Sequence, residues 1–121
     1  MIVLAVMAIL AAIAYPGYQS SVRKSRRADA VDAAARIQQA QERWRANNTT
    51  YAAAVGTLGL GATSLGGFYT MSLSGTSGTG YTVTATAIAG TSQAADTGCT
   101  TLTLQWSGGN PVYSPTGCWS R

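Results

Sequence analysis

Hydrophobic and polar positions divide the chain into three regimes. From Met1 to Ala14 every residue is apolar, without a charge or a polar side chain. From Arg23 to Arg45 the apolar positions thin out to Ala30, Ala33, Ile37, Ala40 and Trp44. These fall at i, i+3, i+7, i+10 and i+14, a single stripe along an α-helix. After a glycine- and alanine-rich connector at 49–67, the period changes to two. Residues 68–73 place Tyr69, Met71 and Leu73 on one face. Residues 81–88 alternate Tyr, Val and Ala with Thr until Ile88 breaks the pattern, and residues 100–106 alternate Leu102, Leu104 and Trp106 with Thr101, Thr103 and Gln105. Such alternation, bounded by Gly, Ser and Asn, predicts three antiparallel strands. Residues 111–114 predict a short edge strand, where a proline is tolerated.

The expected fold is therefore α+β. A long N-terminal α-helix packs on a small antiparallel sheet of about four strands, and a disulfide closes the C-terminal loop. A helix that is apolar all round at one end and amphipathic at the other needs two solvents. Residues 1–22 form the half for lipid or for a bundle of helices, with Ile2, Val3, Leu4, Val6, Met7, Ile9, Leu10 and Ile13 as its surface. Residues 23–121 form the globular domain: an amphipathic helix half at 23–48, the connector at 49–67, and the sheet with its C-terminal loop at 68–121. The stripe ending in Trp44 is the expected cover of the sheet, with Trp44 as its large anchor in the core.

Between the helix halves stands Tyr15-Pro16-Gly17-Tyr18. Proline removes a backbone donor and glycine lowers the cost of unwinding, so a kink or melted turn is expected at Pro16 and Gly17. The tyrosines suit a lipid–water boundary; the alternative is a break between two soluble helices. At about 1.5 Å per residue, Met1–Ala14 extends about 21 Å, against roughly 30 Å for a bilayer's hydrocarbon core. A secretory signal fits poorly, because the basic cluster follows the apolar run instead of preceding it.

Charge sharpens this division. The formal net charge is +4, and seven of the eight basic residues lie on the helix. Arg23, Lys24, Arg26 and Arg27 form a basic patch directly after the apolar half. Basic flanks ordinarily mark the cytoplasmic side of a span. Cys99 and Cys118 nevertheless read as a disulfide formed outside the cytoplasm, the alternative being two free buried thiols. A loop of this size contributes roughly 3 kcal/mol by chain entropy. As a nucleic-acid patch, four charges on a helix bind phosphates without specificity.

Enzyme chemistry finds no residues to carry it. There is no histidine, no paired carboxylate outside the helix, and no nucleophile or phosphate-loop motif. The SGTSGTG run is hairpin-loop material, and Asp96 alone does not make a calcium site. No cofactor or metal is expected. Asn47-Asn48-Thr49-Thr50 matches the N-glycosylation pattern twice, a motif common by chance.

The run MIVLAVMAILAAIAYPGYQSSVRKSRRADA resembles the N-terminal helix of type IV pilins, with Pro16, Tyr18 and the basic stretch in the family's positions. The resemblance continues through AQERWRANNTTYA to the late cysteine pair and Cys118-Trp119. It implies a long helix whose second half packs on a four-stranded sheet, and a homo-oligomeric helical filament with the apolar helices bundled inside. Family members begin with a phenylalanine, soon followed by a glutamate, upstream of the stretch matching Met1. The expectation is that those residues, and the basic leader removed by prepilin peptidase, are missing here. The leader's charges would then set the orientation, and methylation of the N-terminus lies beyond these residues. The resemblance implies a precursor pool in the inner membrane facing the periplasm, pilus assembly machinery as partner, and an extracellular filament as destination. Adhesion, twitching motility, DNA uptake and electron conduction all use such filaments. The expected function is a structural subunit of the filament. The alternatives are a DNA-binding minor pilin, using Arg23–Arg27 or the surface loops, and a pseudopilin of a type II secretion system. The disulfide, in place of a calcium-stabilised loop, weighs against the pseudopilin.

Overall fold

The computed structural model describes residues 1–119, apart from the side chains of residues 15, 16, 19 and 20. One helix, α1 (Ile2–Arg45), runs into four strands: β1 (Tyr69–Ser74), β2 (Gly80–Ala87), β3 (Thr101–Ser107) and β4 (Asn110–Ser114). The strands pair in chain order as an antiparallel meander, β1-β2-β3-β4. The α+β architecture agrees with the period-two reading of the sequence, and the edge position of β4 with its proline.

Register fixes which face is apolar. Met71 pairs with Ala85 and Leu73 with Val83, while Val83 pairs with Leu104 and Ala85 with Leu102. Directly opposed residues share a sheet face, so Tyr69, Met71, Tyr81, Val83, Ala85, Leu102 and Leu104 form one buried layer. The threonines between them point the other way. At the β2 entrance Gly80 has no room for a side chain, because a Cβ there would lie 2.2 Å from the Trp106 carbonyl oxygen.

The second half of α1 covers that layer with Ala30, Ala34 and Ile37. Ala33 packs on it while partly exposed, and Ala40 is buried. Small side chains bring the helix backbone close to the sheet, leaving Tyr69 and Tyr81 to fill the space.

Trp44 departs from expectation: it is only half-buried and stands outside the core cluster. It lies on the correct helix face, but one turn beyond Ala40 and Gln41, the last buried residues of α1. The helix outlasts its cover. Gln41, a polar residue, occupies the fully buried position instead.

At Pro16 and Gly17 no turn is melted, since α1 runs as one helix through both. Proline removes only its own N–H, so the bonds on either side can carry the helix across. The Pro16 side chain lies outside the described residues. Cys99 and Cys118 form the expected disulfide, with Cα atoms 5.6 Å apart.

Candidate functional site

Two surfaces result from this fold: the bare apolar half of α1, and the junction where α1 enters the domain. On the apolar half, Ile2, Val3, Leu4, Val6, Met7, Ile9, Leu10 and Ile13 are all exposed, Ile2 at 81% and Ile13 at 72%. Met1–Ala14 projects as an uncovered apolar rod. Among the described residues no helix is long and apolar enough to cross a membrane.

At the junction the basic residues divide by the work they do. Arg27 Nε and Nη2 donate to the two oxygens of Asp96, each at 2.6 Å. That hydrogen bond, more than the opposing burial, raises the Arg27 pKa above its ordinary value. Arg26 donates to Ser92 Oγ and lies over the Phe68 ring, 4.6 Å from its centroid, a cation–π arrangement. The Arg23 carbonyl accepts from Gln93 Nε2 at 3.1 Å. Lys24 is exposed to solvent. The basic patch is thus divided: Arg26 and Arg27 hold the loop between β2 and β3, whereas Lys24 faces water.

Neutral and acidic groups complete the junction. Gln93 is fully buried, and its Nε2 also donates to Tyr69 Oη at 2.7 Å. Desolvation raises the Tyr69 pKa, partly offset by this hydrogen bond. Across the helix, Asp29 accepts from Ser64 Oγ and from the Gly66 N–H. A Cβ at Gly66 would lie 2.8 Å from an Asp29 carboxylate oxygen, so a larger residue there would displace the Asp29 side chain. Loops on both sides of α1 are therefore tied to polar residues within Arg23–Asp29.

Sequence reasoning missed Gln41, Gln93, Ser64 and Ser92 as structural polar groups. The available signal was weak: Asp96 is the chain's only acid beyond Glu42, which marks it as a partner for an arginine.

The family model described as type IV minor pilin ComP, DNA uptake sequence receptor, matches residues 16–103. The chain belongs to this family of type IV pilins. The match runs from Pro16 through the junction and the connector into β3. No curated protein matches the chain. In this pilin, the residues that tie the loops to the helix all lie inside the matched segment, whereas β4 and Cys118 lie beyond it. The family is one of structural rather than enzymatic proteins.

Proposed function

We propose that this pilin is a minor subunit of an extracellular type IV pilus, built into the filament through the apolar half of α1. The observation that carries the reading is the uncovered run from Ile2 to Ile13 on a helix whose other half packs on its own sheet. Burying one such side chain is worth about 1.5–3 kcal/mol, so the rod needs an apolar environment that the chain does not provide. The inner membrane supplies it before assembly, and helices of neighbouring subunits supply it afterwards. Within that bundle the helix is expected to unwind between about Ile9 and Gly17, where packed neighbours shelter irregular backbone.

The test is incorporation. Ile9→Asp and Ile13→Asp place charge on the rod without touching the domain. Sheared filaments from cells making either variant should lack the subunit, while its domain stays folded and oxidised. Incorporation at the unsubstituted level would overturn the reading.

A second reading, binding of DNA during uptake, is favoured by the description of the matched family as a DNA uptake sequence receptor. The exposed cations available for it are few. Arg36 and Arg43 are exposed and, seven residues apart, share a helix face, whereas Lys24 is turned about a third of a turn from Arg36. No lysine or arginine occurs from Ala46 to Ser120. Binding through these three cations should show a log–log salt slope of about −3 at most. Duplex retention that is lost in a Lys24, Arg36 and Arg43 triple glutamine variant would support this reading, and absence of retention at low salt would exclude it.

A further inference from the structure

Where α1 outlasts its sheet cover, a groove of about 390 Å³ opens between the helix end and the 3-10 turn at Val55–Leu58. Ala40 and Leu58 contribute apolar lining, and Trp44 is its one aromatic side chain. The remaining lining is polar: Arg43, Asn47, Asn48 and Thr57. We propose that this groove binds an acidic sugar residue of a polysaccharide, with Trp44 as the ring platform and Arg43 as the carboxylate ligand.

Three observations converge on that class of ligand. First, Trp44 is the largest side chain of the helix stripe, yet it is left half-exposed at the groove. A half-exposed indole offers an apolar face and a polar edge, and this amphipathic ring suits the C–H face of a pyranose. Second, the hydrogen-bonding groups are free. Among the described residues, the Trp44 indole N–H, the Arg43 guanidinium and the Asn47 amide have no partner in the chain, while the Asn48 amide uses one N–H on the Trp44 carbonyl. Neutral amides and a hydroxyl around one apolar platform match a ring of hydroxyls, and they follow the usual division of a ligand site into apolar surface and a few polar groups.

Third, the charge of the lining is a single cation with no carboxylate. One exposed guanidinium selects for one anionic group and can take a carboxylate in a two-pronged hydrogen bond. Nucleic acid would stack on Trp44 as well, but its backbone carries one phosphate per nucleotide and its affinity grows with the number of cations engaged. The groove supplies only Arg43, so a ligand held mainly by ring stacking and neutral hydrogen bonds, with one carboxylate engaged, fits better than DNA. This site is remote in sequence from the Met1–Ala14 rod and does not depend on how that rod is used.

The experiment titrates the full chain in detergent micelles with trigalacturonate, a neutral galactotriose and a short single-stranded DNA, reading assigned indole N–H resonances. Trigalacturonate should shift the Trp44 signal and leave those of Trp106 and Trp119 unmoved. Arg43→Gln, an exposed change that preserves the thermal midpoint, should weaken binding at least tenfold. Asn47→Ala should weaken it severalfold, and Trp44→Ala should remove it. Because Trp44→Ala also deletes packing, the two polar variants decide the matter independently. No shift with trigalacturonate, equal binding of the neutral trisaccharide, undiminished binding by Arg43→Gln, or preferential binding of the DNA would each overturn the proposal.

Discussion

Arg27 grips Asp96 through two parallel hydrogen bonds, guanidinium fork to carboxylate, across 69 residues of chain. Both partners are largely withdrawn from water, with side chains 18% and 7% exposed. Removing either one leaves the other charged, partly buried and alone. Arg27→Ala or Asp96→Ala should therefore cost about 2–4 kcal/mol in urea unfolding, toward the lower part of the range for broken buried pairs because Arg27 keeps some solvent. Arg27→Lys keeps the charge but loses the fork, and should recover only part of that loss. A double-mutant cycle should show strong coupling between the two positions; additive losses would mean that the pair does not act as a unit.

Gln41 holds the connector to the helix in the same manner without charge. Its Nε2 donates to the Ala52 carbonyl at 2.9 Å, and its Oε1 accepts from the Ala52 N–H at 2.8 Å. Gln41→Ala would strand both backbone groups in a buried site. At about 1–3 kcal/mol for each of the two unsatisfied groups, a destabilisation of roughly 2–6 kcal/mol is expected. Hydrogen exchange provides the local readout: the Ala52 amide should be protected in the natural chain and exchange much faster in the variant. Equal protection in both would show that the connector is held by other contacts.

The contrast between Gln41 and Trp44 shows where the sequence was legible and where it was not. Strand faces could be read because alternation is a local property, and Leu102 and Leu104 are buried as their spacing requires. The helix stripe was legible in direction but not in extent, since where the cover ends depends on the path of the connector. The stripe therefore carried Trp44 into the core and did not include Gln41. The structure leaves Trp44 half-exposed and buries Gln41, because Ala52 offers that amide a donor and an acceptor at the matching distance. The junction was harder still: four basic residues within five positions read as one patch, and only the fold of the loop after β2 brings Ser92, Gln93 and Asp96 against them. The apolar rod, by contrast, needed no tertiary information.

Tyr81 carries a hydroxyl that the core does not satisfy. The residue is 1% exposed, its Oη is buried without a hydrogen-bond partner, and its ring meets that of Tyr51 edge-on at 4.8 Å. Tyr81→Phe removes the unsatisfied group while keeping the ring, and should stabilise the domain by about 1 kcal/mol. Burial, assisted by the nearby Glu42 charge, pushes the Tyr81 pKa up from its ordinary value. The fold thus disfavours the phenolate, which the unfolded chain forms near pH 10. The resulting stabilisation is complete below about pH 10 and is lost as pH rises through the higher folded value. Unfolding free energy should decline in that alkaline range by up to about 1.4 kcal/mol per pH unit from this group. Tyr81→Phe should flatten the decline, leaving the smaller contribution of the same sign from Tyr69. A variant less stable at neutral pH, with an unchanged alkaline slope, would contradict this account.

Removal of Met1–Ala14 separates what the two helix halves do. Those residues are exposed throughout, so their loss deletes no core contact. The buried layer begins at Ala30, and the loop ties begin at Arg23, leaving more than one helical turn between the cut and the first anchoring residue. Exposed apolar area falls sharply, and with it the drive to associate. The shortened chain should be a soluble monomer in sedimentation, with the Cys99–Cys118 bond intact and an unfolding free energy within about 0.5 kcal/mol of the full chain in detergent. The remaining start of the helix is expected to fray, because an end without side-chain capping leaves its first N–H groups to water. Fraying should stop near Arg23, where Gln93 binds the backbone and Arg26 and Arg27 hold the neighbouring loop. Aggregation of an oxidised, shortened chain would mean that the domain hides a second apolar surface. Loss of cooperative unfolding would mean that the rod stabilises a domain that it does not touch.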